Sequence, residues 1–160
     1  MSVFPTNIAD EIVTSVQLAF PDYTVVRRPV RNGDPDKTYG IWPWDWNPDE
    51  QSFEMNSGQS KEPTLQRYLI RMQTLVKYAT EEEGREVATV DAKILRTVLY
   101  RDADLQVRLG DLTEDLLGTR ERLQRWGVRT QRFMNNQVGQ QQFIFLTQTD
   151  FWAESESTPL

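Results

Sequence analysis

Apolar and polar positions alternate with a period of two along residues 64–78. Tyr68, Ile70, Met72, Val76 and Tyr78 share one face, and Arg67, Arg71, Gln73 and Lys77 share the other with Leu69 and Leu75. That period predicts a strand with one mainly buried face. An acidic turn is expected at Glu81-Glu82-Glu83-Gly84. It leads to a helix over 85–100, where Val87, Val90, Ile94, Leu95, Val98 and Leu99 make one apolar stripe. A strand and a helix that each carry one apolar face bury those faces against each other, so this pair is the expected centre of the fold.

The same reading extends to both sides. Ile8, Ile12, Val13, Val16 and Phe20 form the stripe of a helix over 7–20, capped by Thr6 or Asn7 and ended by Pro21. Residues 23–28 read as a short strand limited by Pro29, and 38–44 as a second strand completing a hairpin across the turn residues Asn32-Gly33 and Asp34-Pro35-Asp36. Residues 45–62 show neither period. A loop of that length within a compact domain is often functional, and it is expected to contact a partner. A short helix follows over 102–109, with Asp102 as cap and Gly110 as stop. Strands are expected over 119–134 and 141–154, joined through 135–139. In the second, Phe143, Phe145 and Phe151 occupy one face, and Ile144, Leu146 and Trp152 the other, as in a central strand or one covered by a neighbouring subunit. Residues 155–160 are expected to be a disordered tail. The fold class is therefore α+β: a mainly antiparallel sheet with two main helices on one face and a long loop, in a single domain over 1–154.

Composition narrows the chemistry. The chain has 160 residues, no cysteine and no histidine. Thiolate zinc sites and disulfides are excluded, and the side chain that most often acts as a base near neutral pH is missing. The net charge of −6 is unlike the basic footprint of a nucleic-acid binder, yet compatible with a passage through which DNA slides without adhering. No apolar run is long enough to span a bilayer and no signal peptide is visible, so a cytoplasmic protein with no membrane partner is expected.

Trp42, Trp44 and Trp46 alternate, so an extended chain places them together, either as a minor core or as anchors of a subunit interface. Residues 120–132 are dense in arginine. Arg122, Arg125, Arg129 and Arg132 either pair with acids of the adjoining strand, such as Asp150 and Glu154, or serve inter-subunit pairing or phosphate contact in a lumen. Phe53 and Met55 of the long loop, with Phe143, Phe145 and Trp152 of the last strand, complete the interface candidates. Glu81, Glu82, Glu83 and Glu86 lack the converging spacing of a cation site. Neither Asp34 with Asp36 nor Glu114 with Asp115 is placed in a pocket by the sequence. No nucleotide-binding or nucleophile motif occurs, and no cofactor or metal is expected.

Three stretches carry a resemblance. They are Tyr39-Gly40-Ile41-Trp42-Pro43-Trp44-Asp45-Trp46 leading to Pro63-Thr64-Leu65-Gln66-Arg67-Tyr68, then Leu95-Arg96-Thr97-Val98-Leu99-Tyr100-Arg101-Asp102, and finally Arg125-Trp126-Gly127-Val128-Arg129-Thr130-Gln131-Arg132-Phe133. In this order the chain resembles, over about residues 5–155, the tail terminator proteins of long-tailed phages, especially those of actinobacteria. The resemblance implies a structural virion protein and no enzyme. Six copies would form a ring on the last ring of tail-tube subunits, stop polymerisation, and meet the head-side connector while DNA passes through the hole. The implied partners are thus the other copies of a homohexamer, the tail tube protein, the connector or stopper protein, and DNA without sequence-specific contact. A stopper or head-completion protein of the same neck is the alternative.

Overall fold

A computed structural model describes residues 4–44, 53–54, 64–133, 137–138 and 142–160. In chain order these form α1 (Phe4–Ala19), β1 (Thr24–Val26), β2 (Lys37–Pro43), β3 (Phe53–Glu54), β4 (Thr64–Tyr78), α2 (Glu81–Arg101), α3 (Ala103–Asp111), β5 (Thr113–Leu116), β6 (Thr119–Phe133), β7 (Gln137–Val138) and β8 (Phe143–Pro159). The described strands make one sheet ordered β1-β2-β4-β8-β6-β5, with β3 added to β4 and β7 to β8. All the strand pairs are antiparallel except β1 with β2. The chain is α+β.

The middle of the sheet is β8, which pairs with β4 from Tyr78↔Phe143 to Thr64↔Ser157 and with β6 from Phe133↔Thr147 to Thr119↔Pro159. Alternation divides its side chains between two layers. Phe145, Phe151, Ala153 and Ser155 face the helices, in register with Val76, Ile70, Tyr68 and Gln66 of β4. The helices cover this inner face: the Phe4 ring lies 5.8 Å from that of Tyr68, and Trp126 Nε1 donates to Gln106 Oε1 of α3 at 2.7 Å. Gly84 lets α2 come down on the sheet, because a Cβ there would lie 2.3 Å from the Phe145 ring. The expected alternation in β4 holds, with Tyr68, Ile70, Met72 and Val76 all buried.

Several expectations change. The acidic run at 81–84 is no separate turn; it opens α2. Thr80 is the N-cap, its side chain accepting from the Glu83 N–H at 3.3 Å, and three glutamates in the first turn suit the positive end of the helix. Val90 and Ile94 point outward, since the buried line of α2 runs through Gly84, Ala88, Leu95 and Leu99. Helix α1 begins at Phe4, a turn before the expected caps, because Phe4 is itself core and Pro5 is tolerated in a first turn. Helix α3 continues past Gly110 to Asp111. A strand absent from the sequence reading, β5, makes a hairpin with β6.

Strands β1 and β2 form no hairpin. They are parallel, Thr24↔Thr38 to Val26↔Gly40, and residues 27–36 cross the outer face of the sheet between them. The crossing is pinned by polar contacts: Val30 N–H donates to Gln73 Oε1 at 3.3 Å, and Lys77 Nζ donates to the Asn32 and Asp34 carbonyls at 2.6 and 2.9 Å. It presses so close that a Cβ on Gly40 would lie 2.2 Å from the Arg28 carbonyl oxygen. Nor are residues 155–160 a disordered tail. Strand β8 runs to Pro159, Ser155 is fully buried, and Leu160 N–H donates to the Gly118 carbonyl at 2.8 Å. Most of the expected loop over 45–62 lies outside the described residues; Phe53–Glu54 within it pairs with Gln66 and Leu65.

Candidate functional site

On the outer face, at the level of the first half of β4, lies a cleft of about 740 Å³. Strand β4 supplies Arg67, Leu69 and Arg71, β8 supplies Asp150 and Trp152, and β6 supplies Arg125, Arg129, Thr130 and Arg132, while Trp44 closes one side. Two register shifts in β6, between Leu123 and Arg125 and between Val128 and Thr130, decide which side chains arrive here. Each bulge inserts a residue and resets the alternation. Without them, Arg125 and Arg132, seven positions apart, would face opposite sides of the sheet.

The arginines are held in place by acids and rings. Arg71 donates from Nε and Nη2 to the two Asp150 oxygens at 2.9 and 3.2 Å, and its guanidinium stacks 3.1 Å from the centre of the Trp44 ring. Trp44 is fixed in turn, its backbone N–H donating to the Leu69 carbonyl at 3.0 Å. Trp152 lies between two guanidinium groups, Arg67 at 5.7 Å and Arg125 at 5.8 Å from its ring centre. Both of those arginines reach Glu154, Arg125 at 2.9 and 3.3 Å and Arg67 at 3.1 Å. Arg125 foremost, with Arg67, holds the Glu154 carboxyl below the ordinary carboxylate range. No described carboxylate pairs with Arg129 or Arg132.

The arrangement suits recognition better than proton transfer. Both carboxylates are acceptors already engaged by arginine, and five guanidinium groups stand against Asp150 and Glu154. The surplus positive charge and the two tryptophans fit a carboxylate- or phosphate-bearing partner surface. Among the described residues no group of three acidic side chains is arranged to hold a metal ion. Glu81 pairs with Arg85 at 2.7 Å, Asp34 with Arg28 at 2.7 Å and Asp115 with Arg120 at 2.7 Å. No helix among the described residues is long and apolar enough to cross a membrane.

The site residues named from sequence separate clearly. Trp44, Trp152, Arg125, Arg129 and Arg132 meet in the cleft. Trp42 is half-buried opposite Arg71. Arg122 is exposed nearer the other end of β6, opposite Glu156. Phe145 is 1 % exposed and Phe143 packs against the core, so their interface role gives way to a core role: the register of β8 turns both inward. Trp46 and Met55 lie outside the described residues, and Phe53 is placed by its backbone pairing alone. Arg67 and Arg71 were legible only as the polar face of a strand; their alternation with Leu69 was the signal, but nothing in it named the facing acids.

No family model matches the chain, and no curated protein matches it. Among solved structures, one chain without a descriptive name covers 90% of this chain and 94% of its own, at 10% identity and a TM-score of 0.40; likeness at that level carries no argument.

Proposed function

We propose that this protein is a phage tail terminator, a structural ring subunit that caps the tail tube, stops its growth and joins it to the head side. The observation carrying this reading is spatial. The stretches that bear the family resemblance are far apart in sequence, and two of them meet at one cleft: Trp44 and Arg67 come from the first, and Arg125, Arg129, Thr130 and Arg132 from the third. The second lies behind it, where the Tyr100 hydroxyl accepts from the Val128 N–H at 3.3 Å and so supports the cleft strand of β6. A fixed array of guanidinium groups and indoles on one face of the sheet is a surface for docking a partner.

Mixing the purified protein with tail-tube protein tests the reading. Tubes should stop elongating and shorten on average, and Trp44→Ala, which removes the ring stacked on Arg71, should weaken capping by about tenfold or more. Tubes that grow unchanged overturn the proposal, and binding to the head-side connector without any effect on tubes would instead identify a stopper.

A further inference from the structure

The turn between β5 and β6 holds a residue that the fold does not ask for. Leu117 has φ 51° and Gly118 φ 80°, so both central residues are left-handed, as in the tight I′ turn of a two-residue hairpin. Asparagine, aspartate or glycine suits the first position; leucine is strained there. Yet the Leu117 side chain is 95% exposed, so packing within the subunit gives no reason for it. Leu116 beside it is 47% exposed, and Leu160, 69% exposed, is tied to the turn through its N–H on the Gly118 carbonyl. Three outward leucines thus gather at one end of the sheet, beside the exposed Asp115–Arg120 ion pair.

The other end of β6, roughly 45 Å away at about 3.3 Å per residue, offers the complement. There a cavity of about 170 Å³ lies between α2 and the sheet, lined by Ala92, Thr147 and the half-exposed Phe133 and rimmed by Lys93, Arg96 and Arg132. It is of the size that admits a benzene-sized apolar group. We infer that the Leu116–Leu117 tip of one copy seats in the Ala92–Phe133 cavity of the next. Tip and cavity are different surfaces of one chain, so the contact is head-to-tail and repeats around a closing ring. The inference rests on the ring-forming reading above and names the contact that would close it.

Leu117→Asn and Phe133→Asp, followed by sedimentation velocity over a concentration series, test it. Leu117→Asn should keep or raise the melting temperature, because asparagine accepts the left-handed backbone, while weakening self-association about thirtyfold. Each variant keeps one intact surface, so an equimolar mixture should form one-to-one pairs that grow no further. Undiminished rings from Leu117→Asn, a mixture that does not pair, or a wild-type chain monomeric at every accessible concentration overturns the contact. A wild-type ring that leaves tubes growing overturns the terminator reading and spares the contact.

Discussion

Asp34 shows how much one side chain fixes. It is 8% exposed, accepts from the Arg28 guanidinium at 2.7 and 3.0 Å and from the Arg31 N–H at 2.7 Å, and so anchors the segment that crosses the outer face of the sheet. The Arg28 hydrogen bonds first, and the Arg31 N–H second, pull its carboxyl down to about 2. An unfolded aspartate titrates near about 4. The folded value is the lower one, so the contribution to stability is present at neutral pH and lost as pH falls from about 4 towards 2. Asp34→Asn should cost about 2 kcal/mol near neutral pH in urea unfolding, with the gap to wild type closing across that acid window. A gap that stays constant with pH would separate the effect from ionisation.

At the scale of elements, β8 carries the most weight. Ser155 donates to Glu121, a carboxylate only 8% exposed that also accepts from the Tyr68 hydroxyl at 2.6 Å. Deleting residues 155–160 removes that donor along with the end of two ladders, and should lower stability on the order of 3 kcal/mol; thermal unfolding of the truncated chain checks it, and an unchanged midpoint would mean the end of β8 contributes nothing. The sequence made β4 legible because its alternation is unbroken, and β8 because its two apolar faces suit a central position. It hid the inner and outer assignment of β6, where the bulges near Gln124 and Arg129 shift the parity twice. It hid the parallel pairing of β1 and β2 because Asn32-Gly33 and Asp34-Pro35-Asp36 have the chemistry of a reversal, whereas the close approach that requires Gly40 is a tertiary contact. It hid the end of β8 because Glu154-Ser155-Glu156-Ser157 is polar, while half of those positions face a buried polar cluster. At the cleft, arginine density in β6 was visible, and so were Asp150 and Glu154 as acids of the adjoining strand; that Glu154 takes Arg125 while Asp150 takes Arg71, with Trp44 stacked on it, comes from register.

For the molecule as a whole, charge is sorted by face. The chain carries −6 overall, yet its outer cleft gathers five arginines. Opposed signs on different surfaces of one subunit favour contacts between unlike surfaces over contacts between like ones, and like charge facing a lumen would keep DNA from adhering. Both effects weaken with added salt, so the proposed contact through the leucine tip should outlast the loss of charge steering: raising ionic strength should slow self-association in stopped-flow mixing about tenfold while changing the dissociation rate little. Equal salt effects on both rates would assign the contact to ion pairs.

The strand order has one more consequence, for synthesis. Strands β4 and β6 do not pair with each other; β2 and β3 lie along one edge of β4 and β5 along one edge of β6, and the two halves join only through β8, which follows both in the chain. While a ribosome is still making β8, the two longest earlier strands each keep open the long edge that β8 will cover. Such edges invite pairing with other nascent chains. The last strand to be made is therefore the one that joins the two halves of the sheet.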